Sequence, residues 1–174
     1  MTKNIAWMVD TQYDPTLENR LRRIGCQVDR FEHLIPALRA FDTRIYDAII
    51  LNTVVAPGLI RNQDHETIGY YVPGSYDNDQ RIKEIMEEYK IGGERTRSPD
   101  YWKLAMYAIE VAHRPRSPNA RTPIFVAGNH EEEGDLSFPN AKETSRTAGA
   151  IDYYDLDNDE RFEAVIRDIR KLTS

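Results

Sequence analysis

A continuous apolar run at residues 48–51 constrains the fold of this 174-residue chain more than any other feature. The run is far shorter than the roughly 20 residues that span a membrane. It also lacks the alternating polar residues of a half-exposed strand, so it predicts a central parallel strand buried on both faces. Sites in open α/β sheets lie in loops at the carboxyl ends of such strands. Asn52 and Thr53, which follow the run, are therefore the first candidate site residues.

Apolar segments that alternate with helical patterns surround this strand. The five predicted strands are residues 5–9, 26–31, 48–51, 122–127 and 150–154, and helices are predicted at 14–25, at 34–41, from Ser98-Pro99 and after Asp157. This alternation predicts an α/β fold with a flavodoxin-like, doubly wound, five-stranded parallel sheet in the order 2-1-3-4-5. Residues 1–174 are predicted to form one domain.

A polar segment at about 59–97 interrupts the alternation after the third strand and predicts an insertion with its own helix. The apolar stripe of that helix is Ile82, Ile85, Met86 and Tyr89. Tyrosines are concentrated in the same segment, at Tyr70, Tyr71, Tyr76 and Tyr89. They could cover the site as a lid or form a partner interface, where tyrosine is enriched.

Four short motifs resemble those of response-regulator receiver domains. They are Val-Asp-Thr at 9–11, Asn-Thr at 52–53 followed by Pro-Gly at 57–58, TPIFVAGN at 122–129, and AGAIDYYDLD at 148–157. The last is the most specific, because Ala-Gly-Ala-x-Asp-Tyr is more than an apolar strand requires. The resemblance covers most of the chain outside the insertion. It implies the same sheet order and a site at the carboxyl ends of the strands.

The sequence departs from the receiver pattern where that pattern implies chemistry. Receivers phosphorylate an aspartate after the third strand, using a metal held by acids and a lysine facing the phosphoryl charge. Here Asn52, or Thr53 in the alternative register, takes the place of that aspartate. The lysine position falls on Leu156 and the hydroxyl position of the fourth strand falls on Gly128. The resemblance therefore predicts a receiver-like protein with no catalytic residues.

Other polar residues at the same strand ends complete a candidate binding cleft. Its predicted members are Asp10, Thr11, Asn52, Thr53, Gly128 and Asn129. An acidic run beside His130, residues 131–135, could suggest a metal site, but consecutive acids point in different directions and are typical of a solvated loop. We therefore predict no metal site and no cofactor.

The composition of the chain limits which classes of partner it is expected to bind. The net charge is −6, with acids and bases interspersed, which argues against the basic stripe of a nucleic-acid surface. No apolar run is long enough for a membrane span, and the chain does not open with a signal peptide. Cys26 is the only cysteine, so no disulfide framework is present, which fits the cytoplasm.

Two main hypotheses for function follow. The first is a stand-alone signalling or regulatory module that binds a protein partner, which could be a second copy in a homodimer. We expect no output domain, because the sequence ends at Ser174, just after the last predicted helix. The second is an enzyme or small-molecule binder, for instance one that processes nucleosides or nucleotides, with the insertion as lid. Against the second, the loop after the first strand is acidic and lacks the glycines that cradle phosphate. A structural subunit of a larger assembly is a third interpretation.

Overall fold

The computed structural model describes residues 2–9, 15–52, 59–61, 67–70, 101–128, 141–155 and 159–172. Its strands are β1 (Lys3–Met8), β2 (Cys26–Phe31), β3 (Ala48–Asn52), β4 (Leu59–Arg61), β5 (Thr67–Tyr70), β6 (Ile124–Gly128) and β7 (Asp152–Asp155). Its helices are α1 (Thr16–Arg23), α2 (Leu34–Thr43), α3 (Tyr101–Ala112), α4 (Ala141–Thr147) and α5 (Asp159–Leu172).

Five of these strands form one all-parallel sheet in the order β2-β1-β3-β6-β7. Numbered as strands of this sheet alone, the order is 2-1-3-4-5, so the predicted topology is confirmed. The sheet places β3 at its centre, between β1 and β6. The carboxyl ends of β1, β3 and β6 therefore meet at one edge, as the prediction of the cleft requires.

The central strand β3 is buried on both faces, as its apolar run predicts. Ile49 and Leu51 belong to the core that β3 shares with helices α2 and α3. Ala48 and Ile50 belong to the second core, under helices α1 and α5. This division follows from the two-residue period of a strand, which sends alternate side chains to opposite faces.

Helix α1 shows how the local sequence determines an element. Leu17 and Leu21, one turn apart, are both buried against the sheet. The helix ends before Gly25, whose φ of +89° lies in the left-handed region that favours glycine. Its N-cap is Pro15, which makes no side-chain capping hydrogen bond. The predicted start signal at Asp14 lies outside the described residues.

Two strands begin two residues later than the sequence predicts. The strand predicted at 122–127 begins at Ile124, because the Thr122 N–H donates to the Asn119 carbonyl at 2.9 Å in a turn. The strand predicted at 150–154 begins at Asp152, because the Ala150 N–H donates to the Ser145 carbonyl at 2.9 Å at the end of α4. In both cases a local hydrogen bond competes with sheet pairing for an apolar or β-branched segment.

The start of the insertion contains an element that the sequence analysis did not predict. Strands β4 and β5 pair antiparallel, with Leu59 opposite Tyr70 and a register shift between Ile60 and Arg61. The predicted insertion helix, with its stripe of Ile82, Ile85, Met86 and Tyr89, lies outside the described residues.

Candidate functional site at the carboxyl edge of the sheet

Two of the predicted cleft residues are described, and the strand register brings both to the same edge. Asn52 is the last residue of β3 and lies opposite Ala127 of β6. Gly128, the next residue of β6, lies opposite Asp155 of β7. Asn52 and Gly128 therefore lie at the carboxyl ends of adjacent strands.

Asn52 brings the one polar side chain of β3 to this edge. It is partly exposed, whereas the four preceding residues are buried. It is two residues beyond Ile50, so it lies on the same face of the sheet, the one covered by α1 and α5. Its carboxamide can donate and accept hydrogen bonds but carries no charge. The residue can therefore position a polar ligand but cannot supply an anionic nucleophile.

Gly128 contributes backbone only. It is buried, and its carbonyl accepts a 3.4 Å hydrogen bond from the hydroxyl of Tyr153. This contact was not predicted, because the direction of the Tyr153 side chain depends on the register of β7 against β6. The signal available in the sequence was the Tyr-Tyr pair at 153–154, whose members must face opposite sides of a strand.

Tyr154, the other member of that pair, faces helix α5. Its hydroxyl donates to Asp168 Oδ2 at 2.8 Å. Burial, followed by this hydrogen bond, raises the pKa of Tyr154 well above its usual range. Burial acts to raise the pKa of Asp168, but hydrogen bonds from Lys171 and Tyr154 hold it below its usual value. The pair therefore fixes α5 to the sheet and keeps both groups in their ordinary ionisation states near neutral pH.

The remaining predicted site residues are not covered by the described ranges. These are Asp10, Thr11, Thr53 and Asn129 of the cleft, and Tyr71, Tyr76 and Tyr89 of the insertion. Tyr70 is described through its backbone, as the partner of Leu59. Val9, the residue before Asp10, is buried and its N–H donates to the Phe31 carbonyl at 2.9 Å. The chain is thus anchored to the sheet up to the point where the predicted cleft begins.

The described ranges contain no group of three or more His, Cys, Asp or Glu side chains placed to hold a metal ion. His130 and the acidic run 131–135 lie outside those ranges. None of the helices that the structure describes is long and apolar enough to cross a membrane. An open groove of about 440 Å³ runs along α2 and is lined in part by Phe31, Pro36 and Arg44.

No protein-family model and no curated protein matches the sequence. Several solved structures, however, have a similar fold. The receiver domain of the sensor histidine kinase PA1611 from Pseudomonas aeruginosa PAO1 superimposes with a TM-score of 0.56 at 17% identity, over 100% of both chains. The chemotaxis response regulator CheY4 of Vibrio cholerae gives 0.55 at 13% identity, over 97% of this chain and 99% of that one. A putative response regulator from Chloroflexus aurantiacus J-10-fl gives 0.52 at 18% identity, over 100% of both.

The chain has the receiver fold. In this fold β3 is the central strand, and Asn52 is the residue at its carboxyl end. The receiver likeness inferred from the four sequence motifs is thereby confirmed at the level of fold.

Proposed function

We propose that this protein is an atypical receiver-like regulatory module that lacks the phospho-acceptor aspartate and acts through protein contacts. The observation that carries the proposal is the position of Asn52, at the end of the central strand and at the edge where the predicted cleft lies. A receiver fold that keeps its sheet while replacing its acceptor supports a role in binding rather than phosphoryl transfer.

The chemistry of the acceptor position supports this proposal. A carboxylate attacks phosphorus through an anionic oxygen and forms an acyl phosphate. The oxygen of the Asn52 carboxamide is neutral, and the nitrogen lone pair is delocalised into the carbonyl, so neither atom is a comparable nucleophile. In the alternative register the residue is Thr53, whose hydroxyl would give a phosphate ester and not an acyl phosphate.

The groups that would stabilise a transferred phosphoryl are also replaced. Leu156 occupies the position where the resemblance implies a lysine, and an aliphatic side chain offers no positive charge to the phosphoryl oxygens. Gly128 occupies the hydroxyl position and has no side chain to donate. The PA1611 receiver domain holds a magnesium ion in its active-site cleft. In this chain Thr11 replaces the second of the two acids expected there, which weakens any such site.

The regulatory role requires a protein partner, and the tyrosines of the insertion remain the predicted contact surface. A cytoplasmic location also stays a prediction, from the single cysteine.

Incubation with acetyl phosphate and magnesium, followed by intact mass spectrometry, tests the proposal. We expect no phosphate adduct, whereas a receiver that retains its aspartate, treated in parallel, acquires one. The variant Asn52→Asp should also fail to reach the level of that control, because Leu156 is unchanged. A hydroxylamine-labile adduct on the wild-type protein that maps to residues 48–58 would contradict the proposal. A hydroxylamine-stable adduct would instead place the phosphate on a hydroxyl group.

A further inference from the structure

The amino-terminal edge of the sheet, opposite the candidate cleft, carries an arginine-rich surface. All parallel strands of the sheet begin at this edge. The connection from α2 to β3 and the connection from α3 to β6 therefore meet there. We call five of their residues the amino-edge surface: the exposed Arg44, Ile45, Arg116 and Arg121, and the half-buried Arg114.

A buried hydrogen-bond network holds the two connections together. The Asn119 amide nitrogen donates to the carbonyls of Phe41 and Arg44, both at 2.7 Å. Its oxygen accepts from the Tyr46 N–H at 2.9 Å. The Thr122 hydroxyl donates to the Tyr46 carbonyl at 3.0 Å and so belongs to the same network. The amino-edge surface is therefore fixed to the sheet from beneath.

Three of the four arginines of this surface have no ion-pair partner among the described residues. Among the described residues, no carboxylate forms an ion pair with Arg114, Arg116 or Arg121. Arg44 pairs with Asp29 at 2.8 Å but keeps 62% of its side chain exposed. The net charge of the chain is −6, so acids outnumber bases overall, and a surface rich in arginine differs in charge from the rest of the molecule.

An apolar side chain accompanies the arginines. Ile45 is 71% exposed, the highest value among the exposed large hydrophobic residues that the structure describes. Arginine beside an exposed aliphatic residue is the composition of a protein-binding surface, where arginine is enriched and an apolar contact anchors the partner. A nucleic-acid surface would instead require a longer basic stripe, because its affinity comes from neutralising several phosphates.

We propose that the amino-edge surface binds the segment 131–138, EEEGDLSF, of a second copy of this chain. That segment combines four acids with Leu136 and Phe138, and so matches both the charge and the apolar anchor of the surface. Gly128, three residues before that segment in the sequence, ends strand β6 at the edge of the sheet opposite the amino-edge surface. We therefore expect two copies to pair head-to-tail, which produces closed rings or open filaments.

This inference does not depend on the proposed function, because the surface and the candidate cleft lie at opposite edges of the sheet. Its test is a binding titration with a labelled peptide of residues 129–140, NHEEEGDLSFPN, against the full chain. We expect saturable binding that weakens when salt rises from about 0.05 M to about 0.5 M. A peptide with glutamine in place of its four acids should not bind.

Charge reversal locates the site. The double variant Arg116→Glu/Arg121→Glu should weaken peptide binding by at least about tenfold. The double variant Arg30→Glu/Arg167→Glu changes the net charge by the same amount at exposed positions on β2 and α5, and should bind as the wild type does. Ile45→Ser should weaken binding without changing its salt dependence, because it removes the apolar contact alone.

Self-association of the full chain gives the decisive comparison. By sedimentation velocity, the wild type should form concentration-dependent oligomers at low salt, and Arg116→Glu/Arg121→Glu should remain monomeric. Adding Glu131→Arg/Glu132→Arg to that variant should restore association. Three results would overturn the proposal: Arg116→Glu/Arg121→Glu binds the peptide as tightly as the wild type does, the glutamine peptide binds as tightly as the acidic one, or the wild type is a monomer at all concentrations. Arginine-dependent binding of a DNA duplex without peptide binding would overturn it as well.

Discussion

Asn119 is the residue whose replacement most directly tests how the amino edge of the sheet is held. Its side chain is fully buried and makes hydrogen bonds to backbone atoms of Phe41, Arg44 and Tyr46. The substitution Asn119→Ala removes both the amide donors and the oxygen acceptor. It leaves the buried Tyr46 N–H without an acceptor and two carbonyls without their shortest donor.

The expected loss of stability follows from those contacts. A buried polar group left without a partner costs about 1–3 kcal/mol. The Phe41 carbonyl keeps a long 3.5 Å contact from the Ser117 hydroxyl, and Arg44 lies near solvent, so the two carbonyls contribute at the lower end. We therefore expect a total of about 3 kcal/mol, about 1 kcal/mol from each of the three backbone groups. For a chain of this length that corresponds to a fall in Tm of about 6–12 °C.

Thermal and urea unfolding, followed by circular dichroism, measure this loss. Asn19→Ala, at an exposed position in helix α1, is the matched control and should change stability by less than about 0.5 kcal/mol. If Asn119→Ala unfolds within about 2 °C of the wild type, the buried amide does not hold the two connections together. Thr122→Val, which keeps the shape of the side chain, should cost less, about 1 kcal/mol, because it removes one hydroxyl.

Three further predictions concern other parts of the fold. Gly149→Ala should destabilise more than Gly25→Ala in a urea titration: both have positive φ, but a new Cβ at Gly149 would lie 3.1 Å from His113 Nδ1, whereas nothing lies within 4 Å at Gly25. Ser145→Ala should be neutral or stabilise by up to about 1 kcal/mol, because the buried Ser145 hydroxyl has no hydrogen-bond partner among the described residues. Burial, followed by a hydrogen bond to a carboxylate, raises the pKa of Tyr46 to about 12. In the unfolded chain the tyrosine ionises near pH 10. The wild type should therefore lose stability relative to Tyr46→Phe as the pH rises from about 10 to about 12.

The sheet could be predicted from the sequence because its signals are local. The apolar run of β3 and the helical spacing in α1 each report burial within one element. The order of the strands then follows from the right-handed crossover of parallel units. The antiparallel pair β4–β5 was missed because strands of three and four residues are too short to show a period.

The candidate site was only partly predictable, because its contacts are not local. The positions of Asn52 and Gly128 follow from strand order alone. By contrast, Asn119 binds atoms that are 73 to 78 residues away, and the contact from Tyr153 to Gly128 spans 25 residues. Such pairs depend on register and side-chain direction, which no pattern within one segment specifies.

Whether the carboxyl edge accepts a phosphoryl group can be measured by an NMR titration with beryllium fluoride, which mimics a phosphoryl group bound to a carboxylate. Spectra of the ¹⁵N-labelled protein are compared with magnesium alone and with magnesium plus beryllium fluoride. Because Asn52 offers no carboxylate, we expect beryllium fluoride to cause no further shift of the amides of Val9, Asn52 and Gly128. A saturable shift of these amides that requires both reagents would show that the edge does accept a phosphoryl group.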